Sequence, residues 1–326
     1  QEVPIAITAM SSQDMEDRNI ENVQDMNALL PNVSINGGGT AGNSGQFFMR
    51  GIPGVSRYLD GVVQQGNQGA LINVVELERV EVLRGPQGTL FGKNAIGGAI
   101  QYVTQKPRTE FGARVRATLG SYDRRDFTAN VDIPLGDSVF TKVTAASLKR
   151  DGFVDSDMSG IKYGNQNSDY LRGQLMWRPN DSFEANISLD HSKVDERMQA
   201  NVLYDVVDTQ VNVVAYNNAG FPFNDATYAY GGREQYRNRS IYAGPGNLWD
   251  STAYTVDLNW KINDVFTLHS ITGGRTKTYG GYQDLDASEY RFFEQWQYTE
   301  GDEISQELQL LGNTDRFSWT VGLYYA

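Results

Sequence analysis

No cysteine occurs in the 326 residues, so neither a disulfide framework nor a thiolate site is available. Histidine is nearly as scarce. His191 and His269 stand far apart in the chain, which argues against a zinc site or a histidine-based nucleophile. Positive charge is in deficit: 28 Lys and Arg face 40 Asp and Glu, a net −12 that leaves no cationic face for a nucleic acid. Also missing is any apolar run near the ~18 residues a membrane helix requires. Mean hydropathy is −0.48. That excludes helical spans only, because a transmembrane β-barrel needs apolar residues at alternate positions and averages conceal them. Gln1-Glu2-Val3-Pro4 has neither the basic start nor the apolar core of a secretory signal, so an exported chain is expected to have lost it.

What is abundant is glycine, 34 residues, and tyrosine, 18. Glycine concentrates in 78–107, where Val80 and Val82 alternate with charged residues and Ile100, Tyr102 and Thr104 recur at period two. The pattern predicts strand, glycine-rich connection, strand, with Gly85, Gly88, Gly92, Gly97 and Gly98 in the connection. A phosphate-binding loop fails on spacing. Gln87 stands where such a loop needs glycine, and Asn94 follows Lys93 where Ser or Thr should hold magnesium.

Upstream, the spacing predicts one helix over 10–31. Ser11 or Ser12 caps it, Asp14 and Glu16 occupy the first turn, Ile20, Val23, Met26, Leu29 and Leu30 form the apolar face, and Pro31 ends it. A flexible loop, 36–45, and short strands near 47–52 and 57–63 follow, so residues 1–110 form a small α+β domain.

From Phe111 the pattern becomes long two-residue alternation. Tyr254, Val256, Leu258, Trp260 and Ile262 share one face while Thr255, Asp257, Asn259 and Lys261 share the other. Phe183–Leu189 repeats it, as do 111–119 and 127–133, and 139–150, 169–178, 265–276, 303–311 and 317–326 are compatible. These make about nine strands of roughly bilayer-spanning length. Tight links at Leu135–Ser138, Pro179–Asp181, Asn263–Asp264 and Gly312–Asp315 alternate with long ones at 151–168, 193–250 and 277–302, and only 120–125 is short at the second end. A soluble sandwich has no reason to segregate them; an outer-membrane barrel does. Trp177, Trp260, Trp319 and Tyr254 are expected in interfacial aromatic girdles. Asp155–Gly160 opens like a calcium loop, but Gln166 stands where a bidentate Glu belongs, so an ordinary acidic loop is expected.

Several segments together resemble the TonB-dependent outer-membrane receptors. Val3-Pro4-Ile5-Ala6-Ile7-Thr8, Leu29-Leu30-Pro31-Asn32-Val33, Phe48-Met49-Arg50-Gly51-Ile52, Tyr58-Leu59-Asp60-Gly61-Val62, Val80–Pro86, Phe91-Gly92 and Gly97-Gly98 are similar to plug-domain segments in the family's order. The resemblance implies a plug domain, 1–110, inside a transmembrane β-barrel whose N-terminal portion is 111–326. The family barrel has 22 strands, so the chain is expected to be incomplete. It also implies a TonB energy-transducing partner, whose binding segment in the family precedes Gln1, an outer-membrane location, no enzymatic activity and no bound cofactor. By the same resemblance Arg50 and Arg84 latch the plug to barrel carboxylates, Glu307 among them, and Gln46, Arg57, Tyr58, Gln65 and Asn67 on outward loops contact the nutrient. That nutrient is a siderophore, cobalamin, sugar or small aromatic. Two other readings stay open: a passive porin-like channel, and a receptor-like barrel with a structural role in a surface assembly.

Overall fold

A computed structural model describes residues 7–18, 20, 23–37, 45–66, 75–85, 96–197, 201–203, 207, 210–220, 237–244, 246–291 and 294–326. The N-terminal domain is built on a five-stranded sheet. Its strands are β1 (Ile7–Ser11), β4 (Val55–Leu59), β5 (Val62–Val63), β6 (Leu77–Arg84) and β7 (Gly98–Thr104), in the order β1-β6-β7-β4-β5. Only the β4–β7 pair is parallel. A two-stranded ribbon, β2 (Val33–Gly37) with β3 (Gly45–Met49), lies over it. The apolar face of these strands, Val80, Val82, Ile100 and Tyr102, closes on Met15, Val23, Met26, Ile35 and Met49 in one buried cluster. The β6 and β7 faces are those the alternation predicts. Residues 38–44 and 86–95, the two glycine-rich segments, lie outside the described residues.

The helix expected over 10–31 is divided in two. Ser11 caps helix α1 (Ser12–Asp17) through a capping box with Asp14, as the sequence suggests, but α1 stops at Arg18 and a 3₁₀ turn, Val23–Ala28, follows. At 100° per residue Ile20 lies about 140° around a straight helix from Met15. Both are buried, so the chain bends to bring them to one core.

The remainder forms one antiparallel sheet of nine strands. In chain order they are β8 (Gly112–Gly120), β9 (Arg124–Pro134), β10 (Val139–Arg150), β13 (Gln166–Asn180), β14 (Phe183–Glu196), β16 (Asn247–Lys261), β17 (Phe266–Asp284), β18 (Glu294–Asn313) and β19 (Ser318–Tyr325), each paired with the next. Between them three short strands, β11 (Val154–Ser156), β12 (Lys162–Tyr163) and β15 (Arg237–Asn238), form a small sheet at the long-loop end. Ser156, Tyr163, Asn238, Ser240 and Ser288 are buried there, and a Tyr242–Tyr282 stack at 3.6 Å ties the loops together. Ser156 Oγ closes the Asp155–Gly160 turn and Asp157 binds Arg237, which is an ordinary loop.

The nine strands are those of the sequence, six of them longer than the alternation alone shows. β17 and β18 run to 19 and 20 residues, because hydrogen-bonded pairing continues past the point where alternation fades. Beyond a bilayer both faces meet water, so composition loses its period while the backbone ladder does not. All four tight turns fall at one end. Asn180, Asn263 and Thr314 each close one by accepting a backbone N–H.

Side chains divide cleanly between two faces. One outer row reads Val143, Gly173, Leu189, Tyr254, Gly274 and Ile304 across successive strands; the inner row beside it reads Lys142, Gln174, Ser188, Thr255, Gly273 and Ser305. The N-terminal domain packs on the inner face. Gly273 and Gly274 carry both contacts at once: a Cβ on Gly273 would lie 2.4 Å from Val62 of β5, and one on Gly274 2.4 Å from the Tyr254 ring outside. Trp177 against Phe183 and Trp319 against Phe266 stand with Trp260 on the outer face near the tight turns, as a girdle would. Tyr254 does not belong to it. β16 begins at Asn247 rather than near residue 252, which puts Tyr254 at mid-strand.

Candidate functional site, the plug–wall interface

The buried ion pairs that hold the domain against the wall put the acid on the plug and the base on the wall; a more exposed pair, Lys106 with Glu184 of β14 at 2.6 Å, runs the other way. Asp60 sits with φ +49 in the turn between β4 and β5, its carboxylate accepting from Thr104 N at 2.8 Å, Thr104 Oγ1 at 2.9 Å and Arg172 Nη2 at 2.6 Å. Arg172 projects from β13 and is 3% exposed. Glu76, φ +65 just before β6, lies 2.6 Å from Lys142 of β10, and both side chains are 1% exposed. Lys142 also reaches Gln105 Oε1 at 3.5 Å, while Glu76 Oε2 has no hydrogen-bond partner among the described residues. Farther out, Glu16 of α1 meets Arg114 and Arg116 of β8 at 3.2 and 2.8 Å, where solvent weakens the contact.

The expected latch had the opposite polarity. Arg50 is exposed in a turn at φ +53, Arg84 Nε and Nη2 are buried without partners among the described residues, and inner-face Glu307 accepts from Gln309. None of the three meets another among the described residues. The pairs that form need a charge at an inner-face position of a strand, and Lys142 and Arg172 are such positions. Alternation marks Lys142 and Arg172 as inner-face charges, but nothing in the sequence named their partners.

Arg57 and Tyr58 also lie elsewhere than expected. β4 is flanked by β5 and β7, so both side chains are buried rather than outward. Arg57 stacks over Phe47 and its Nη2 donates to the carbonyls of Gln64 and Gly66. From the other side Lys277 of β17, ion-paired to Glu303, donates to the intervening Gln65 carbonyl at 3.2 Å. Successive carbonyls of an extended segment point opposite ways, so the plug cation grips residues 64 and 66 and the wall cation residue 65. Gln46 and Gln65 are exposed; Asn67 lies outside the described residues. Lys277→Met is expected to raise the exchange rate of the Gln64 amide, which donates to Arg57 O, about tenfold in hydrogen-exchange mass spectrometry, the ~1.4 kcal/mol of one charge-assisted bond.

Burial pushes the Tyr58 phenol up to about 12. The folded domain therefore keeps a proton that the unfolded chain loses near pH 10, so this contribution to stability is complete below pH 10 and disappears as pH rises from 10 to 12. Phenolate absorbance should show a late step at that pH that Tyr58→Phe removes; an unchanged titration would contradict it.

Residues 1–99 match the family model TonB-dependent Receptor Plug Domain. The crystal structure of the ferric yersiniabactin uptake receptor from Yersinia pestis superposes with TM-score 0.77 at 20% identity, over 98% of this chain and 48% of that one. Residues 1–99 are a TonB-dependent receptor plug domain, and the strands that follow have the fold of the adjoining barrel wall. The ferripyoverdine receptor of Pseudomonas aeruginosa is 27% identical to the receptor over 274 residues, 80% of this chain and 32% of that protein. The vitamin B12 transporter of Vibrio vulnificus is 27% identical over 195 residues, 58% and 32% respectively. The receptor chain thus spans about a third of the length of these curated relatives. In the barrel fold it shares with the Yersinia structure, the inner rows line a lumen, the outer rows face away from it, and the tight turns mark one end.

Proposed function

We propose that the chain belongs to an outer-membrane receptor that binds a scarce extracellular nutrient and admits it to the periplasm when the TonB energy-transducing complex displaces the plug. The observation that carries this reading is the seating of the plug on the lumen face by the Asp60–Arg172 and Glu76–Lys142 pairs. Stranding either charge costs several kcal/mol, so thermal opening is rare and external work is required. A passive channel has no use for such a closure. In this reading the tight turns face the periplasm and the long loops the outside, and exposed Gln46 and Gln65 belong to the ligand-facing surface. Relatives named for ferripyoverdine and vitamin B12 favour a ferric chelate, with a corrinoid second.

A deletion strain should lose growth on one ferric chelate or on limiting cobalamin, and removal of TonB from the wild type should reproduce the loss. Wild-type growth on the whole panel, or uptake indifferent to TonB, would sink the reading.

A further inference from the structure

One row of lumen charges crosses five strands. Arg172 stands opposite Asp190 of β14, Asp190 opposite Ala253 of β16, Ala253 opposite Arg275 of β17, and Arg275 opposite Glu303 of β18. The ends of the row are occupied, Arg172 by plug Asp60 and Glu303 by Lys277. Asp190 and Arg275 are not: neither makes a hydrogen bond or ion pair with any described residue. Both are partly buried, and both line two adjoining cavities, about 100 and 20 Å³, between the plug's Leu59–Gln64 corner and the wall.

Ala253 separates them. Their backbones are two strand spacings apart, ~10 Å, with only a methyl group between, which leaves a gap between a carboxylate and a guanidinium. The surrounding charges balance four to four: Arg57, Arg172, Arg275 and Lys277 are cations, and Asp60, Asp169, Asp190 and Glu303 are anions. A ligand with net charge would upset that balance in a partly dry site, whereas a dipolar one would complete it. Tyr170, Trp249, Ser192 and Ser251 line the larger cavity beside them, together with Asp169 and an apolar side that includes Leu77.

We propose that this cavity is a subsite for a zwitterionic end-group of amino-acid type, its ammonium on Asp190 and its carboxylate on Arg275, where two parallel N–H donors suit a planar anion. The proposal rests on the receptor reading, since the end-group is taken as part of the nutrient. The larger cavity holds about three liquid-water volumes at ~30 Å³ each, which suits a headgroup and not a whole chelate.

The test is titration of the purified full-length receptor in detergent with glycine, and with acetate and methylammonium as single-charge probes, followed by Trp249 emission and by calorimetry. Glycine should bind saturably and at least tenfold more tightly than either probe. Arg275→Met and Asp190→Asn should each weaken glycine at least tenfold while heat-modifiable gel mobility stays normal, and Trp249→Phe should remove the optical signal but not the heat. Three results would overturn the proposal: no saturable heat up to about 50 mM glycine, a range that covers millimolar Kd values; acetate binding as tightly as glycine; or charge variants that bind like wild type. TonB-dependent uptake without glycine binding would refute the subsite alone. Glycine binding in a receptor that supports no uptake would refute the transport reading alone.

Discussion

Lys142→Met should lower plug stability by about 3–5 kcal/mol and leave the wall intact. The substitution keeps most of the side-chain volume and removes the charge, stranding Glu76 where it is 1% exposed. Glu76 Oε2 already lacks a donor, so nothing nearby takes over from Lys142. Adding Glu76→Gln should recover most of the loss, because a neutral amide pays far less for burial than a carboxylate. The measurement is urea-dependent trypsin cleavage of the plug, with the heat-modifiable mobility of the barrel as control. Equal cleavage midpoints for the wild type and single variant would show that the pair holds nothing, and failure of the double variant to recover would point to packing instead of charge.

Gly98→Ala is expected to cost a similar amount for a different reason. Gly98 opens β7 at φ +145, a backbone state that other residues rarely adopt, and a Cβ there would stand 2.4 Å from both Leu83 O and Met49 Sδ. Leu83 O belongs to the neighbouring β6 backbone and cannot swing aside as a flexible side-chain end would. Backbone strain of about 1–3 kcal/mol and overpacking of about 1–3 kcal/mol add to roughly 2–6 kcal/mol, concentrated where β6 and β7 pair. Gly51→Ala separates the two contributions. Gly51 has φ +76 but nothing within 4 Å of its would-be Cβ, so only the strain applies. Hydrogen exchange of the Val82 and Ile100 amides should accelerate strongly in the first variant and little in the second. Equal effects would mean that the collision is absent.

How far the fold was legible depends on what each segment must satisfy. Val80, Val82, Ile100 and Tyr102 announced themselves because a strand with one buried face has no freedom in its period. Over 10–31, five apolar residues at near-helical spacing do not say whether one straight axis can bury them all, and the chain bends because one cannot. Tyr254 was placed at a strand end because alternation becomes readable only at residue 252, whereas pairing begins at Asn247. The interface was the least legible part. Resemblance points to Arg50 and Arg84, yet the buried pairs among the described residues use Asp60 and Glu76, whose partners Arg172 and Lys142 lie on separate strands far along the chain.

By itself the sequence determined the period of the most regular strands and the segregation of tight turns from long loops, since both follow from local patterning of apolar side chains and turn residues. Only the tertiary structure decided which charges meet. A lumen-facing residue is specified by its own strand, but its partner is set by strand register and by how the plug sits against the wall, and neither is encoded within one stretch of chain.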